Sequence, residues 1–479
     1  MLQDLFDSAT VRDRSKVAVI DAVRRIDYGD LQLAAHDFAA RLRASGARPG
    51  DRVAIHLPNG IDAAIALWGT LAAGTVMVPL HAALRGEALD KVTADADPHW
   101  LVREPGAIEP RVPAIGPGSE GLAALIYTSG STGQPRGVMH THDSMQAGIR
   151  MVNDYLRIEA GDIIHSALPL SSSYGLYQLL LGLSCGATVL LDRSFAFPAA
   201  CLALAARERA TVMAAVPTML GWMARTPLLD QHDLSALRML TSAAAALPAA
   251  HALRLRRRLP QARLFVMYGQ TECKRISYLD PDLLEAHPES VGSGLAEQEH
   301  RVVDAEGRAV PPGEAGELIV RGPHLMQGYW RRPEETAARL RSLGEDPRPW
   351  LFTGDAFTVD AQGLLRFMGR NDEILKIGGH KVSPAEIENV LCQLPEVLEA
   401  AVTGVPDEHW GQVAAAFIVP APASSLDVEQ VKRHCSQRLR GYMVPRVVRF
   451  VASLPKTPSG KILKQGIDAG ALPATQSGS

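Results

Sequence analysis

Hydrophobic residues in the first 260 positions alternate between short strand-like runs and longer helical stretches. One apolar run covers 52–57, a helical stretch covers 61–73, and a second apolar run covers 75–80. The same order recurs from 187–191, through an Ala-rich helix, to 211–217. Such alternation predicts βαβ units and mainly parallel sheets. We therefore expect an α/β fold with two stacked layers in a large N-terminal domain.

The pattern changes between about 290 and 370, where short strands are separated by turns rich in Gly, Pro and Asp. Residues 316–322 form one such strand, and residues 360–363 one such turn. These signals predict a small antiparallel, β-barrel-like subdomain attached to the parallel layers.

A compact α+β segment is predicted beyond this region. Its expected elements are helices at 384–392 and near 428–439, and strands near 400–405 and 414–419. We place the domain boundary at 370–373. The predicted domains are an N-terminal domain of residues 1–370 and a small C-terminal domain of residues 373–479.

Composition narrows the class of protein. A chain of 479 residues exceeds what one hydrophobic core usually holds, and a net charge of −3 provides no field to attract nucleic acid. The five cysteines show neither CxxC pairs nor a zinc-ligand spacing, which fits a reducing cytoplasm. The N-terminus does not read as a signal peptide, and the apolar stretch 167–191 is broken by Pro169, serines and glycines. We expect a cytoplasmic protein without a membrane span or a nucleic-acid partner.

Residues 127–138 read Tyr-Thr-Ser-Gly-Ser-Thr-Gly-Gln-Pro-Arg-Gly-Val, directly after an apolar run. Glycines let backbone amides converge on an anion, and the hydroxyls add hydrogen-bond donors, so this loop suits a polyphosphate. It lacks the GxxxxGK[ST] pattern of the P-loop. Seen alone, such a run is equally well a flexible surface loop.

Four further strings follow this loop in a fixed order. They are Tyr-Gly-Gln-Thr-Glu at 268–272, Thr-Gly-Asp at 353–355, Gly-Arg-Asn-Asp-Glu at 369–373 and Pro-Ser-Gly-Lys at 458–461. Together with the loop they resemble the adenylate-forming superfamily of acyl-CoA synthetases, peptide-synthetase adenylation domains and luciferases. The resemblance extends from about residue 10 to 466 and is greatest to aryl-acid CoA ligases.

The resemblance implies an ATP-dependent ligase that converts a small carboxylic acid into acyl-AMP, releases pyrophosphate and then forms a thioester. The thiol would belong to CoA or to the phosphopantetheine of an acyl or peptidyl carrier protein, which present the same arm. A related enzyme that passes the acyl group to an amine is the nearest alternative. A degenerate member that only binds nucleotide is a third.

The resemblance also assigns ATP-binding roles. The phosphates would be held by Arg136, which stands where the family usually has lysine, and by the loop residues Thr128, Ser129, Gly130, Ser131, Thr132 and Gly133. Thr271 would contact the α-phosphate and Glu272 would bind Mg²⁺. The adenosine would be held by Tyr268 and Gly269 at the base, Asp355 at the ribose and Arg370 at the ribose or a phosphate. Without the motif, Tyr268 would equally be a core tyrosine, and Glu272 and Asp355 would be turn acids.

Lys461 is the residue that the resemblance makes most important. It would enter the site and neutralise the charge that builds on the carboxylate and the α-phosphate. Only nine of the 49 basic residues are lysines, and Lys461 falls inside a family motif. Lys456 and Lys464, in contrast, are expected to be exposed to solvent.

In the family the C-terminal domain turns after adenylation, and Asp372 matches the hinge. The strand-turn that contains Lys376, Gly378 and Gly379 would then line the path of the thiol arm, because glycine permits close approach. The sequence does not distinguish CoA from a carrier protein.

The acyl pocket is expected around Tyr174 and Gly175, within Ser-Ser-Ser-Tyr-Gly-Leu at 171–176. Amino-acid-activating relatives carry an aspartate there, so an α-amino acid is disfavoured. A second wall would be Ala243, Ala244 and Ala245, where many relatives have glycines. The added methyl groups favour an aromatic or short acid over a long chain. Lys274 and Arg275 are expected to pair on the surface, with contact to a polar substituent as the alternative.

Overall fold

The computed structural model describes residues 1–113, 119, 121–129, 134–422, 424–457, 460–464 and 467. Twelve α-helices lie within these ranges. They are α1 (Leu2–Arg12), α2 (Tyr28–Ala44), α3 (Ile61–Ala72), α4 (Gly86–Ala96), α5 (His142–Leu156), α6 (Ser173–Ser184), α7 (Pro198–Arg207), α8 (Pro217–Met223), α9 (Ala249–Arg258), α10 (Pro333–Arg339), α11 (Pro384–Leu391) and α12 (Val428–Ser436).

The described residues also form 26 strands. They are β1 (Val17–Ile20), β2 (Arg25–Asp27), β3 (Arg52–Ile55), β4 (Val76–Pro79), β5 (Trp100–Val102), β6 (Glu109–Pro110), β7 (Leu122–Ser129), β8 (Pro135–Thr141), β9 (Ile163–Ser166), β10 (Thr188–Leu191), β11 (Val212–Ala215), β12 (Met239–Ser242), β13 (Arg263–Tyr268), β14 (Ser277–Leu279), β15 (Ser293–Gly294), β16 (Glu299–Val303), β17 (Gly316–Arg321), β18 (Gly328–Tyr329), β19 (Leu340–Leu343), β20 (Asp346–Val359), β21 (Leu365–Arg370), β22 (Leu375–Ile377), β23 (His380–Val382), β24 (Val397–Asp407), β25 (Gly411–Pro420) and β26 (Val447–Phe450).

Two large sheets confirm the predicted α/β layers. The first has the order β15-β14-β13-β12-β11-β9-β10-β1-β2 and is parallel from β13 to β1. The second has the order β18-β8-β7-β4-β3-β5-β6 and is parallel from β7 to β5. Strands β3, β4, β10, β11 and β12 are buried along their whole length, as expected where helices cover both faces of a sheet.

The turn-rich region forms the predicted antiparallel unit. Its sheet follows β16-β17-β20-β19, and β21 also pairs with β20. Residues Asp355 and Arg370 are paired in the register of β20 and β21. This pairing brings two residues of the adenylate-forming motifs side by side, although 15 positions separate them in the chain.

The C-terminal segment packs the sheet β24-β25-β26 and the hairpin β22-β23 against α11 and α12. The largest hydrophobic core includes residues up to Leu365, and the core of the C-terminal segment begins at Leu375. The predicted boundary at 370–373 lies between these two cores. Hydrogen bonds that cross between the segments include those from the Thr218 hydroxyl to the Gly460 carbonyl (3.1 Å) and from Arg225 to the Leu398 carbonyl (2.7 Å). The Ala249 amide also donates to Asn389 Oδ1 (3.4 Å), and the Ser383 hydroxyl donates to the Met368 carbonyl.

Candidate active site

A cavity of about 1340 Å³ lies where the two large sheets, the antiparallel unit and the C-terminal segment meet. Its wall includes Thr128, Tyr268, Thr271, Asp355 and Lys461, which come from four separate sequence motifs. Residues that are remote in the chain are thus gathered around one space.

Asp355 is the centre of a hydrogen-bond network at one end of the cavity. Its Oδ2 atom accepts hydrogen bonds from the Tyr268 hydroxyl (2.6 Å) and from Gln270 Nε2 (2.8 Å). Gln270 Nε2 also donates to the carbonyl oxygen of Thr353 (2.8 Å). The Tyr268 ring packs edge-on against Phe357, with 4.7 Å between the ring centroids. The network fixes the orientation of a nearly buried carboxylate and of the aromatic ring beside it.

The other oxygen of Asp355 remains available. Oδ1 is buried and accepts no hydrogen bond from any described residue, although Arg370 Nη1 lies 3.4 Å away in an ion pair. Burial raises the pKa of Asp355, while the Tyr268 hydrogen bond and the charges of Arg370 and Lys461 act in the opposite direction. A buried acceptor that faces a cavity in this way is suited to a ligand hydroxyl.

Thr271 and Glu272 follow β13 on a tight turn. A Cβ atom at Gly269 would lie 2.1 Å from the carbonyl oxygen of Lys274, so this turn admits only glycine. Glu272 Oε1 accepts a hydrogen bond from the Tyr329 hydroxyl (2.8 Å). The Thr271 hydroxyl lies 3.3 Å from the hydroxyl of Ser173, the first residue of α6. Both side chains therefore face the cavity from fixed positions.

The ends of the predicted phosphate loop are held by the β7-β8 pair, with Thr128 opposite Arg136 and Ser129 opposite Pro135. Gly130, Ser131, Thr132 and Gly133 lie outside the described residues. Arg136 Nε forms an ion pair with Glu335 Oε2 of α10 (2.7 Å) and also lines the cavity. The loop therefore begins and ends at the cavity wall.

Lys461 lies in the cavity wall opposite the parallel sheets. Of the two neighbouring lysines, Lys456 is exposed as expected, whereas Lys464 is half-buried, so the expectation is wrong for Lys464. Lys464 Nζ pairs with Oε1 of the half-buried Glu388 at 2.7 Å, and Lys456 Nζ pairs with Glu399 Oε1 at 2.6 Å. The carboxylate on α11 holds the Lys464 ammonium group against the protein, and this pair ties the segment around Lys461 to α11.

The predicted hinge and thiol-path residues have different surroundings. Asp372 lines the cavity, and its Oδ1 atom lies 3.3 Å from Arg370 Nε. Lys376, Gly378 and Gly379 lie on the β22-β23 hairpin and are not among the residues that line the cavity. A Cβ atom at Gly378 would lie 2.5 Å from the indole of Trp410, so glycine is required for that contact. In this arrangement Lys461 faces the cavity and the hairpin does not.

The predicted acyl pocket is only partly on the cavity wall. Tyr174 lines the cavity, and its hydroxyl lies 2.7 Å from the Thr241 hydroxyl. Gly175 has a packing role instead, because a Cβ atom there would lie 2.2 Å from the Pro169 carbonyl oxygen. Ser172 caps α6 by accepting a hydrogen bond from the Gly175 amide, which fixes where the helix begins.

The alanine wall needs a similar correction. Ala243 is 1% exposed and belongs to the hydrophobic core, so it does not bound the cavity. Ala244, Ala245 and Ala246 do. Ala244 has a φ of +78°, a left-handed conformation that is strained for any residue with a side chain. The methyl group therefore occupies the cavity edge at the cost of backbone strain.

Lys274 and Arg275 are not paired on the surface, and that expectation is wrong. They are 4% and 8% exposed and line the cavity. The Lys274 ammonium lies 4.1 Å from the ring centroid of Tyr177, and the Arg275 guanidinium lies 4.5 Å from that of Tyr174. The turn after Glu272 directs both side chains against α6 rather than into solvent.

Sequence reasoning missed three residues that hold the site in place. Gln270 orients Asp355, Tyr329 holds Glu272, and Glu335 pairs with Arg136. Gln270 could have been found, because it stands inside the 268–272 motif. Tyr329 and Glu335 lie in no recognised motif and reach the site only through the β8-β18 pairing and the helix that follows it.

The described residues contain neither a helix suited to span a membrane nor a cluster of metal-ligating side chains. None of their helices has the length and apolarity needed to cross a bilayer. No group of three or more His, Cys, Asp or Glu side chains in the described ranges is placed to hold a metal ion.

Comparison with known proteins agrees with this geometry. The family model described as AMP-binding enzyme matches residues 6–330, and the one described as AMP-binding enzyme C-terminal domain matches residues 386–461. A feruloyl-CoA synthase from Amycolatopsis sp is 36% identical over 476 residues, which cover 92% of each chain.

Two solved structures have the same fold over almost the whole chain. An anthranilate CoA ligase in complex with anthranoyl-AMP is 25% identical, with a TM-score of 0.88, and covers 96% of this chain and 95% of its own. The amide bond synthetase of Marinactinospora thermotolerans is 29% identical, with a TM-score of 0.85, and covers 96% of this chain and 98% of its own.

Proposed function

Since the chain belongs to the family of AMP-binding enzymes, we propose that it activates an aromatic carboxylic acid with ATP and transfers the acyl group to CoA. The observation that carries this proposal is the meeting of the Asp355 network, Thr271, Glu272 and Lys461 around one cavity. The similar feruloyl-CoA synthase and anthranilate CoA ligase support an aromatic acid and CoA as the acceptor.

The nucleotide fits the polar end of the cavity. The free Oδ1 atom of Asp355 is an acceptor for a ribose hydroxyl, and Arg370 beside it adds a donor. Tyr268 would provide the aromatic face for adenine, next to the narrow turn at Gly269. The phosphates would extend toward Thr128, Thr271 and Arg136.

Mg²⁺ is expected to accompany ATP. A hard cation that is bound chiefly through phosphate oxygens needs only one or two protein carboxylates, and Glu272, oriented by Tyr329, provides one at the cavity wall. When bound, the ion would neutralise phosphate charge. The residues described below act on the reacting atoms themselves.

In the first step a carboxylate oxygen of the acid attacks the α-phosphorus of ATP. A new O–P bond forms, and the bond to pyrophosphate breaks. Positioning and charge neutralisation meet the demands of such a step. Lys461 would neutralise the carboxylate and α-phosphate oxygens, while Thr271 donates a hydrogen bond to the α-phosphate. The Lys464–Glu388 pair would hold the segment that carries Lys461.

In the second step the thiol loses its proton, its sulfur attacks the acyl carbon, and AMP leaves. We propose that the C-terminal domain turns about Asp372 for this step, which removes Lys461 and presents the hairpin with Lys376, Gly378 and Gly379 to the cavity. In this structure Lys461 lines the cavity and the hairpin does not, which supports a second arrangement of the domain for acyl transfer. A carrier-protein phosphopantetheine, a cytoplasmic location and the domain limits 1–370 and 373–479 stay predictions.

The acid would lie between Tyr174 and the Ala244–Ala246 segment. This wall shortens the pocket and favours a flat ring or a short chain. Transfer to an amine is the second candidate, because the amide bond synthetase has the same fold at comparable identity.

The test is acid-dependent exchange of labelled pyrophosphate into ATP with aryl, short-chain and long-chain acids. We expect exchange only when Mg²⁺ and a suitable aromatic acid are both present. Adding CoA should then give the acyl-CoA and AMP. Amide formation with an amine but no thioester with CoA would favour the second candidate, and no exchange with any acid would contradict both.

A further inference from the structure

Lys274 and Arg275 form a pair of buried basic side chains at the wall of the cavity, directly after the Thr271–Glu272 motif. Each lies against a tyrosine of α6, Lys274 against Tyr177 and Arg275 against Tyr174. The two tyrosines are three residues apart and therefore stand on one face of the helix. The aromatic rings hold both basic side chains in place and supply no carboxylate to pair with them.

No described carboxylate forms an ion pair with either side chain, and Lys274 Nζ and Arg275 Nε have no hydrogen-bond partner among the described residues. The pKa of Lys274 is lowered well below its usual range, first by burial and then by the charge of Arg275. Buried donors without partners are costly, and native proteins rarely retain them without a function. Arg275 Nη1 donates a long hydrogen bond of 3.4 Å to the Lys274 carbonyl oxygen, so the donors of the pair that lack an acceptor are Lys274 Nζ and Arg275 Nε.

The surroundings add basic groups rather than acidic ones. His140 and His324 lie nearby and are both 1% exposed or less. His140 Nε2 donates to the Thr271 carbonyl oxygen at 2.8 Å, and its Nδ1 atom forms no hydrogen bond with Lys274 or with any other described residue. Glu272, the nearest acid in the chain, is held by Tyr329. The described side chains therefore give no acceptor to Lys274 Nζ or Arg275 Nε, and an oxygen atom of a ligand would meet this need.

The available space limits what that ligand group is. A small cavity of about 10 Å³ is lined by the two basic residues, by Ser173, Tyr177 and Gln178, and by the apolar Val152, Leu156 and Leu181. This volume is close to that needed for one water molecule or one oxygen atom. Both basic residues also line the main cavity, beside Tyr174, so an acid bound there can extend one substituent toward them.

We propose that Lys274 and Arg275 bind an acidic oxygen on the acid substrate, at the end remote from the carboxylate that reacts with ATP. The group is a phenolic hydroxyl or one oxygen of a second carboxylate, and both accept hydrogen bonds from the two side chains. This inference rests on the proposed function and names the chemistry of its acid. A site built around hydrogen-bond donors rejects the analogue without the oxygen, because the buried donors then remain unpaired.

The test compares specificity constants for matched acids in the complete adenylation assay. Benzoates and cinnamates with hydroxyl, carboxyl, amino or no substituent at ring positions 2, 3 and 4 provide the series. We expect kcat/KM for the best oxygen-bearing acid to exceed that for its unsubstituted parent by at least about tenfold. The kcat/KM for the amino analogue should be lower than that for the parent. Comparison of the hydroxyl-bearing acids with the carboxyl-bearing acids then shows whether the site binds a phenolic hydroxyl or a carboxylate oxygen.

The variants are Lys274→Met and Arg275→Met, with Lys456→Met as the control, because Lys456 pairs with Glu399 and lies outside the cavity wall. We expect each variant to lose about 10- to 100-fold in kcat/KM for the oxygen-bearing acid and little for the parent, so that the discrimination ratio collapses. An unchanged ratio in folded variants overturns the inference. If the variants do not fold, the wild-type enzyme alone tests the inference, and a higher kcat/KM for the unsubstituted acid than for the oxygen-bearing acids overturns it. Absence of turnover with every acid would contradict the proposed function rather than this site.

Discussion

The hydroxyl of Thr218 donates a hydrogen bond of 3.1 Å to the carbonyl oxygen of Gly460, the residue before Lys461. Thr218 belongs to α8 in the N-terminal part of the chain, and Gly460 to the C-terminal segment. This contact, together with the one from Arg225 to Leu398, holds the two parts where Lys461 reaches the cavity. We expect this arrangement to be the one that serves the proposed first half-reaction.

Replacing Thr218 with valine should weaken this arrangement. A single hydrogen bond contributes about 1 kcal/mol net, which corresponds to roughly fivefold in an equilibrium. We expect the rate of pyrophosphate exchange to fall by about that factor in Thr218→Val and to be retained in Thr218→Ser. Acyl transfer from preformed acyl-AMP should not change. A loss of transfer equal to the loss of exchange would argue against a role in positioning Lys461.

The sequence predicted the parts of the site that lie in short, ordered motifs. Asp355 and Lys461 belong to such strings, and the alternation of apolar runs predicted the sheets that support them. The long-range contacts were not predictable in this way. Tyr329 reaches Glu272 across 57 positions, and Lys464 reaches Glu388 across 76, and no local pattern encodes either pair.

The incorrect predictions for Lys274, Arg275 and Ala243 have one physical origin. Lys274 and Arg275 are charged and follow a turn, so the sequence favoured solvent exposure, whereas α6 covers that turn and encloses both side chains. Ala243 and Ala244 are identical in type, and only the backbone decides that the first enters the core and the second the cavity wall. Burial depends on elements distant in the chain.

Lys461→Ala should reduce adenylation much more than acyl transfer. Loss of one electrostatic contact to developing charge typically lowers the rate by about 10²–10³-fold. Pyrophosphate exchange should therefore collapse, while the variant supplied with preformed acyl-AMP should still form the thioester. Lys456→Met is the matched control for removing a lysine from the same segment. Equal loss of adenylation and acyl transfer in folded Lys461→Ala would contradict the proposal that Lys461 acts in adenylation and not in acyl transfer.

Ala244→Gly should relieve strain and lengthen the pocket together. Glycine adopts a φ of +78° without the steric cost that Ala244 incurs, so the free energy of unfolding should not decrease. The wild-type enzyme should prefer benzoate-like or short acids to acids of about 12 carbons or more, and the ratio of their kcat/KM values should shrink in the variant. Ala246→Gly, which opens the same wall, serves as the control. A wild-type preference for palmitate would refute the pocket argument.

His251 should make stability depend on pH. Its Nε2 atom lies 2.6 Å from Arg225 Nη2 and must be the acceptor, because a guanidinium only donates. Burial, with the charge of Arg225, lowers the pKa of His251 from 6.5 to about 3. The folded state therefore keeps the ring neutral, and its contribution is complete above pH 6.5 and decreases as the pH falls toward 3.

The measurement is the free energy of unfolding of wild type and His251→Gln between pH 7.5 and 4.5. Glutamine keeps an acceptor for Arg225 and does not titrate. We expect the wild type to lose stability faster on acidification, by at most about 1.4 kcal/mol per pH unit relative to the variant. Parallel curves would mean that His251 does not remain neutral in the fold.

Asp372→Pro should separate the half-reactions in the opposite sense to Lys461→Ala. Asp372 lies in the turn where the amides of Glu373 and Ile374 both donate to the Arg370 carbonyl, and no hydrogen bond from its own amide to another described backbone group is seen. Proline would fix φ there and restrict rotation of the C-terminal domain, while Asp355 keeps its contact with Arg370. Pyrophosphate exchange should persist, and thioester formation should fall.

Asp372→Ala, which loses the same carboxylate but leaves the backbone free, should support both steps. If the alanine variant loses thioester formation as well, the carboxylate rather than the hinge is responsible, and if Asp372→Pro forms thioester at the wild-type rate, the domain does not turn at this residue.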